Sequence, residues 1–282
     1  MITVWSNLYR LSCEQLMIEA HGVRTRVVQA GDGPPLVFLH GIAGTLEAHM
    51  PAFPALAPHF RLIAYDMPGR GWSDKPDCSY TIDYLSDHLV ALLDALAIEQ
   101  VSLSGQSLGG WVAAWTAAHH PERVKKLILN NPGNVRSRPE VLAKVRASNL
   151  RQARYPSLDE VRERFAWLFH DRSKITDEMI WIRYACYNQP GFARAMEHIS
   201  SILVPEIRQH YAWSQQWCSK IAAPTLLLWS DHNPIAARED GQILLDWIPH
   251  IRLERFGDGE FPQYEETERF NRIHLEFLKE SQ

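Results

Sequence analysis

The sequence predicts an α/β fold, in which helices cover both faces of a mostly parallel central sheet and a helical insertion lies over one edge. Three observations lead to this prediction. Short apolar segments alternate with amphipathic ones along most of the chain, as expected of parallel strands joined by crossover helices. A glycine-flanked serine lies between a predicted strand and a predicted helix. The alternation stops after residue 133 and resumes near residue 222.

The predicted strands are short runs rich in Val, Leu and Ile, and the predicted helices repeat apolar residues at a period near 3.6. Asp83 to Leu96 has the spacing of a crossover helix, and Glu266 to Phe277 has that of a terminal amphipathic helix. The strands, in chain order, are Arg24 to Gln29, Leu36 to Leu39, Leu62 to Tyr65, Val101 to Leu103, Leu127 to Leu129, Thr225 to Trp229 and Ile251 to Arg255.

The interruption predicts a helical lid at residues 134–221, inserted between two parts of one core, residues 1–133 and 222–282. The lid segment has helical patterns and many aromatic residues, among them Phe165 and Trp213. Open parallel sheets bind ligands at the carboxyl edge of their strands, where such an insertion would lie. We expect most of these aromatic side chains to pack the lid onto the core and a minority to line a substrate pocket.

Composition excludes several classes of function. The chain has 282 residues, of which 46% are hydrophobic, and a net charge of -4, so nucleic acid is not an expected partner. Its four cysteines lack metal-binding spacing and are expected to be buried or half-buried thiols. We see neither a signal-peptide pattern nor a membrane-length apolar run, which favours a cytoplasmic protein that does not bind membranes. No cofactor is expected; the expected partner is a small-molecule substrate, and a homodimer is one candidate assembly.

The segment Gly105-Gln106-Ser107-Leu108-Gly109 indicates a nucleophilic serine. It follows the apolar strand that ends near Leu103 and leads into a helical pattern, which is the setting of a nucleophile elbow. Small flanking residues are required there because the turn is strained and lies close to neighbouring backbone. A structural serine on a tight turn is the alternative, and the flanking residues favour the nucleophile.

These features together resemble the α/β-hydrolase superfamily over nearly the whole chain. His40-Gly41-Ile42-Ala43-Gly44 is similar to its oxyanion loop. The segment Asp66-Met67-Pro68-Gly69-Arg70-Gly71-Trp72-Ser73-Asp74 is similar to its Asp-x-Pro-Gly-x-Gly-x-Ser turn. The resemblance implies the α/β-hydrolase fold and an oxyanion hole made by the backbone N–H groups of Ile42 and Leu108. It also implies that His40 shapes the loop and is not the catalytic base.

Within the superfamily, two segments are similar to the meta-cleavage product hydrolases, which cut a carbon–carbon bond in ring-opened aromatic catabolites. They are Ile182-Arg183-Tyr184-Ala185-Cys186-Tyr187-Asn188-Gln189-Pro190 and Gly259-Glu260-Phe261-Pro262-Gln263-Tyr264-Glu265. The resemblance implies that Arg183 binds a substrate carboxylate; the alternative is a surface arginine paired with an acid such as Glu178. The implied substrate-binding set is Arg183, Gln106, Phe261, His40 and Gly41, with the Gln106 amide as a donor to a substrate carbonyl.

Both expected partners of the serine are replaced. The histidine position of the family falls on Glu260, and the position of the acid falls on Asn233, in Trp229-Ser230-Asp231-His232-Asn233-Pro234. Asp231 lies two residues too early, and His232 is expected to face solvent. Three explanations stay open: a former hydrolase that now only binds a ligand, a changed mechanism with Glu260 as base, or a deliberate inactivating substitution.

The charge count favours the changed mechanism. Glu260 beside a neutral Asn233 carries one negative charge, as does a neutral histidine beside an aspartate. The Asn233 amide can donate to one Glu260 oxygen and leave the other for the Ser107 hydroxyl. Burial under an apolar lid, without a cationic partner, should raise the Glu260 pKa from about 4.3 towards neutrality. We therefore expect cleavage of a carbon–carbon or ester bond by Ser107, Glu260 and Asn233, with a lyase or isomerase, or a silent ligand-binding protein, as alternatives.

Overall fold

The computed structural model describes residues 4–9, 11–136 and 138–280, and an eight-stranded sheet forms its centre. The strand order across the sheet is β1-β2-β4-β3-β5-β6-β7-β8. All neighbouring strands from β4 to β8 are parallel, whereas β2 is antiparallel to both β1 and β4. The strands are β1 (Cys13–Ala20), β2 (Val23–Ala30), β3 (Pro35–Leu39), β4 (Arg61–Tyr65), β5 (Val101–Gln106), β6 (Val124–Asn130), β7 (Thr225–Ser230) and β8 (Ile251–Phe256).

Each of the seven predicted strands lies within one of the strands β2 to β8, so the predicted fold class is confirmed. The sequence analysis missed β1. That strand forms the edge of the sheet, and most of its side chains are exposed or half-buried. It therefore lacks the continuous apolar run that identifies a buried parallel strand.

Both predicted helices are present within one or two residues of their expected ends. Asp83 to Leu96 corresponds to α2, and Glu266 to Phe277 to α12. The helices are α1 (Phe53–Leu56), α2 (Ile82–Ala95), α3 (Leu108–His119), α4 (Pro139–Arg154), α5 (Leu158–Leu168), α6 (Asp177–Tyr187), α7 (Phe192–Ser200), α8 (Pro205–Tyr211), α9 (Gln215–Cys218), α10 (Asp240–Trp247), α11 (Pro262–Glu265) and α12 (Thr267–Lys279).

Two apolar clusters lie on opposite faces of the sheet. Successive residues of a strand point to opposite faces, and β3 shows this clearly. Val37 and Leu39 belong to the cluster that includes α2 and α3, whereas Leu36 and Phe38 belong to the cluster that includes α12. The sheet is thus covered on both sides, which holds its carboxyl edge in a fixed position.

Helices α4 to α9 follow one another between β6 and β7 and pack over the carboxyl edge of the sheet. Two tryptophans tie this region to the core: Trp213 Nε1 donates to Gly133 O at 2.8 Å, and Trp111 Nε1 donates to Tyr211 O at 3.0 Å. Phe165 instead lines a cavity, and Trp181 is 55% exposed. Most of the described lid aromatics are buried packing residues, and a minority face a pocket, as expected.

The strand order places the candidate site. Strands β3 and β5 are neighbours although β4 lies between them in the chain, so the connections after β3 and β5 leave in opposite directions. A crevice forms at such a switch point, beyond the carboxyl ends of the strands. Gly41 and Ile42 follow β3, and Ser107 follows β5. Among the helices that the structure describes, none has the length and apolar character needed to span a bilayer.

Candidate active site

Ser107 lies at the tip of a strained turn between β5 and α3. Its φ of 53° and ψ of -116° are unusual for a non-glycine residue and typically cost about 1–3 kcal/mol. Backbone hydrogen bonds hold the turn: Ser107 N donates to Asn130 O at 2.9 Å, and Gly133 N donates to Ser107 O at 2.9 Å. The backbone of β6 and of the connection after it thus presents the Ser107 side chain at the carboxyl edge of the sheet.

The glycines on either side of Ser107 are required by close packing. A Cβ on Gly105 would lie 2.3 Å from Gly109 O, and a Cβ on Gly109 would lie 2.2 Å from Leu39 O. Both distances are far below van der Waals contact with backbone atoms that cannot move freely. The predicted elbow is therefore present, and its Gly-x-Ser-x-Gly pattern has a steric reason.

Two backbone N–H groups on the loops beside Ser107 lack a protein acceptor among the residues that the structure describes. Within the described ranges of the chain, neither Ile42 N nor Leu108 N donates a hydrogen bond to a protein acceptor. The Arg70 Nε donates to Ile42 O at 2.6 Å, so the Asp66–Ser73 turn holds the loop that carries Ile42. Gly41 lets this loop approach the elbow, because a Cβ there would lie 2.7 Å from Gln106 Oε1. Unpaired backbone N–H groups on these two loops are the kind of donor that an oxyanion hole requires.

The His40 side chain holds this loop in place through hydrogen bonds. Its side chain is fully buried, its Nε2 accepts from Met67 N at 3.0 Å, and its Nδ1 donates to Gly41 O at 2.8 Å. Burial lowers the pKa of His40 to about 3, so the ring stays neutral. Both ring nitrogens are occupied, so direct contact with a substrate, which the resemblance implied, is not available to His40. Its role in shaping the loop is the one that the contacts support.

Glu260 lies in the same cavity as Ser107, on the loop between β8 and α11. Its side chain is buried, and each carboxylate oxygen accepts a hydrogen bond from a neutral amide. Asn233 Nδ2 donates to Oε2 at 2.5 Å, and Gln106 Nε2 donates to Oε1 at 2.7 Å. Sequence analysis assigned the Gln106 amide to a substrate carbonyl, but in the structure its partner is Glu260.

The direction in which Asn233 points is fixed by a second contact. Ile235 N donates to Asn233 Oδ1 at 2.9 Å, so the oxygen faces the backbone and the NH₂ group faces Glu260. The backbone of Glu260 is held as well, because its N–H donates to Leu168 O of the lid helix α5 at 2.9 Å. The carboxylate therefore has both a fixed position and fixed donors.

The environment of Glu260 gives it the pKa of a base that works near neutrality. Burial raises the pKa of Glu260 to about 7, and hydrogen bonding with Asn233 and Ser107 opposes this rise in part. The positive charge of Arg164 also lowers it. The expected direction of the shift is confirmed, but the expectation that no cation would lie near Glu260 is wrong. Arg164 comes from the lid, about a hundred positions away in the sequence.

The other acids and histidines near these loops point elsewhere. Asp231 pairs with Arg255 at 2.9 Å and with Arg238 at 3.2 Å. His232 is exposed and stacks on the ring of His170, with centroids 4.1 Å apart, so its expected position at the surface is confirmed. The buried His274 of α12 contacts Ser104, not Ser107. Among the described residues, Glu260 is the ionisable side chain placed to take the Ser107 proton.

Arg183 is buried in the lid wall, at 9% exposure, and lines the cavity together with Gly41, Phe261 and Ser107. Its guanidinium lies over the Phe165 ring at 4.4 Å. The pairing with Glu178 is not present: the Glu178 carboxylate accepts from the backbone N–H of Val4. Within the described residues, Arg183 makes neither a hydrogen bond nor an ion pair. The surface alternative is therefore wrong, and the guanidinium faces a cavity.

The sequence analysis did not select Arg164, although the pattern of α5 carried a signal. Val161, Arg164, Phe165 and Leu168 follow the spacing of one helix face, and all four are buried. An arginine on an otherwise apolar face is unusual, since charged residues are rarely buried without a partner. Asn131 was missed too; it fixes the end of β7 by accepting from Ser230 N at 2.9 Å.

The assembled groups are a hydroxyl nucleophile, a carboxylate of near-neutral pKa and two free backbone donors. This set can attack a carbonyl carbon, stabilise the resulting oxyanion and move a proton between oxygen or carbon atoms. The cavity around them is also lined by Ile42, Ile235 and Phe261. The site is thus equipped for acyl transfer or for proton transfer on a small carbonyl compound.

Comparisons with known proteins agree with this fold. The alpha/beta hydrolase fold family matches residues 34–267, and the chain belongs to that family. It is 35% identical to a 2-hydroxymuconate semialdehyde hydrolase of Pseudomonas sp. strain CF600, over 94% of this chain and 93% of the relative. It is 31% identical to a 2-hydroxy-6-oxo-2,4-heptadienoate hydrolase of Pseudomonas putida, over 93% and 95%.

Among solved structures, the chain is similar to a meta-cleavage product hydrolase from Pseudomonas fluorescens IP01. The TM-score is 0.82 at 32% identity, with coverage of 94% of this chain and 97% of the other. Within the family, the chain is therefore close to the meta-cleavage product hydrolases. A hydrolase is the class of enzyme that these relatives support.

Proposed function

We propose that the protein hydrolyses a carbon–carbon bond of a small ring-opened aromatic catabolite, a 2-hydroxy-6-oxo-dienoate, with Ser107 as nucleophile and Glu260 as base. One observation carries this proposal. The Glu260 carboxylate shares the Ser107 cavity, is held by Asn233 at 2.5 Å and by Gln106 at 2.7 Å, and has a pKa raised to about 7. A general base is most effective when its pKa lies near the working pH.

The substrate class follows from two supports. By their names, one relative acts on 2-hydroxymuconate semialdehyde and another on 2-hydroxy-6-oxo-2,4-heptadienoate, and this chain covers more than nine-tenths of each. The cavity also contains Arg183, a buried guanidinium with neither a hydrogen-bond nor an ion-pair partner in the described part of the chain. A planar guanidinium binds a carboxylate bidentately, so Arg183 would hold the acid end of the dienoate.

The reaction begins with a proton shift on carbon. The 2-hydroxyl proton leaves, C5 takes up a proton, and the substrate becomes the 2-oxo tautomer. The Ser107 oxygen then bonds to C6 while its proton passes to Glu260. The N–H groups of Ile42 and Leu108 stabilise the oxyanion on C6, each donor being worth roughly 3 kcal/mol of barrier.

Cleavage and release complete the cycle. The C5–C6 bond breaks, and its electron pair passes through C3 and C4 to the 2-oxo oxygen, which takes up a proton. The C6 fragment stays on Ser107 as an ester. A water molecule gives a proton to ionised Glu260, attacks the ester carbon and releases the C6 acid and free Ser107. The hydrogen bond from Asn233 holds Glu260 in position to accept both the Ser107 proton and the proton of the attacking water.

The test is turnover of 2-hydroxy-6-oxohexa-2,4-dienoate in water enriched in ¹⁸O. We expect the dienolate absorbance to be lost, and formic acid to appear with one ¹⁸O atom from the solvent. Ser107→Ala should abolish the formation of formic acid. Consumption of the substrate without formic acid, or no consumption by the native chain, would contradict carbon–carbon hydrolysis.

One observation favours a second candidate, an isomerase or lyase that only moves protons. When Glu260 takes a proton it becomes neutral, so it offers no positive charge to the oxyanion as a protonated histidine would. A base with a pKa near 7 suits a proton shift on carbon without a covalent step. In that case Ser107→Ala would keep the proton shift, which solvent deuterium entering C5 would reveal.

A further inference from the structure

Arg164 is a buried cation to which the proposed mechanism gives no role. Its side chain is 4% exposed, and its Nε and Nη1 atoms are buried without a hydrogen-bond partner among the described residues. The guanidinium lies over the Trp167 ring at 4.7 Å. This contact positions the group but gives its N–H donors no hydrogen-bond acceptor. An uncompensated buried charge is costly, and guanidinium donors are strong.

The position of Arg164 points to the reaction cavity. The residue lines the same space as Ser107, Glu260 and Arg183, on the wall formed by α5. It also lines an outer cleft with Lys144 and Trp167, and the Lys144 ammonium lies over the same Trp167 ring at 4.3 Å. Arg164 thus stands between the cavity and a basic cleft.

Glu260 does not neutralise Arg164 by direct contact. The carboxylate oxygens of Glu260 are held by Asn233 and Gln106, and within the described ranges no ion pair joins it to Arg164. Arg183, the second cation of the cavity, also lacks an acid partner there, and its charge lowers the pKa of Arg164. Two like charges in one buried cavity would be stabilised by an anionic ligand.

We propose that Arg164 is a second anion-binding residue of this cavity, and that the preferred substrate is a dianion with a carboxylate at each end. This inference depends on the proposed function for the reaction, but the binding of the dianion does not. Arg183 takes the carboxylate of the dienoate end. Arg164 takes a carboxylate on the C6 substituent, on the far side of the bond that is cut.

The count of hydrogen-bond acceptors is consistent with this assignment. The cavity contains two guanidinium groups, and Glu260 is the one acid among its described lining residues. Glu260 accepts from the amides of Asn233 and Gln106 and from neither guanidinium. A substrate with two carboxylates gives each guanidinium an acceptor, whereas a substrate with one carboxylate leaves one guanidinium without such a partner in the described cavity.

The test compares two 2-hydroxy-6-oxo-dienoates of nearly equal shape, one with a 2-carboxyethyl group on C6 and one with a 3-methylbutyl group. We expect Arg164→Met to lower kcat/KM for the first by roughly 10- to 100-fold, the range of one charge-assisted hydrogen bond, and for the second by less than about threefold. Arg183→Met should impair both. Arg162→Met is the matched control: it lies on the same helix, is exposed and pairs with Asp159 and Asp177.

The comparison is made at pH 9, where Glu260 is ionised in every variant, because removing the Arg164 charge also raises the Glu260 pKa. Equilibrium binding of both compounds to Ser107→Ala, with and without Arg164→Met, separates this inference from the proposed function. Selective loss of binding by the dicarboxylate supports it even if no turnover occurs. Equal effects of Arg164→Met on both compounds, in turnover and in binding, would overturn it.

Discussion

The two sides of the active site are held by different parts of the molecule. Ser107 and the loop of Ile42 are fixed by the sheet, through hydrogen bonds to the backbone after β6 and through glycines that touch neighbouring strands. Glu260 is held by the lid and by side chains, since its N–H donates to Leu168 O and its carboxylate accepts from the side-chain amides of Asn233 and Gln106. The position of Ser107 is therefore set by the backbone of the core, whereas the position of the Glu260 carboxylate depends on hydrogen bonds from side chains.

This difference would allow a carboxylate at the position where the resemblance to the family implies a histidine. The backbone geometry of the elbow admits few residues, because Gly105 and Gly109 have no room for a Cβ. At the position of Glu260, by contrast, a different side chain requires only that the residues hydrogen-bonded to it are also replaced. Asn233 and Gln106 are neutral donors, and they suit a carboxylate as an aspartate suits a histidine.

The largest expected effect falls on the nucleophile side. Ser107→Ala should lower turnover by roughly 10⁴- to 10⁶-fold, because the covalent step is lost while the oxyanion donors remain. Ser104→Ala, three residues earlier on β5, removes only a hydroxyl that contacts His274 and should change the rate less than about threefold. Equal effects of the two changes would contradict the assignment of the nucleophile.

On the base side, Glu260→Gln should lower turnover by roughly 10²- to 10⁴-fold. The amide cannot accept a proton at neutral pH, and its NH₂ group would face the donors of Asn233 or Gln106. Steady-state kinetics between pH 6 and 9 measure the loss, with the exposed Glu268→Gln as control. Full turnover by Glu260→Gln would show that another group takes the Ser107 proton.

Changes in the pair formed by Glu260 and Asn233 should have an intermediate effect on turnover. Asn233→Asp places a second carboxylate against Glu260, which raises the Glu260 pKa further, so the base is protonated at pH 7. We expect a loss of about 10- to 100-fold at pH 7 that recovers towards pH 9. The double change Glu260→His with Asn233→Asp should regain activity to within about tenfold of the native chain. If the double variant turns over no faster than Asn233→Asp alone, a histidine with an aspartate cannot replace Glu260 with Asn233 in this site.

The smallest effect concerns Gln106. Its amide donates to Glu260 and stabilises the ionised form, so Gln106→Met should raise the Glu260 pKa by roughly 0.5–1 unit. Since the base works when ionised, kcat/KM at pH 7 should fall by less than about tenfold and be unchanged at pH 9. An unshifted pH profile would mean that this hydrogen bond does not act on the base.

The sequence predicted the parts of this site that have local signals. The elbow around Ser107 and the oxyanion loop were found because sterics and backbone geometry restrict their residue types over a few positions. Asn233 and Glu260 were placed by their neighbours in two short motifs. The partner of Gln106 and the charge of Arg164 were not found, because both depend on contacts between segments far apart in the chain. The edge strand β1 was missed because exposure removes the apolar run that marks a buried strand.

The central claim is that Glu260 activates Ser107, and the pH dependence of Ser107 labelling by a fluorophosphonate tests it most directly. Intact-mass measurement gives the rate of adduct formation, with Ser107→Ala as the blank. The Glu260 pKa of about 7 lies above its ordinary value of 4.5, so the ionised base appears as pH rises through 7. We expect a labelling rate that increases with pH to a plateau with a midpoint near 7, and a slow, flat rate in Glu260→Gln. The same midpoint in both proteins, or no adduct at any pH, would contradict the claim.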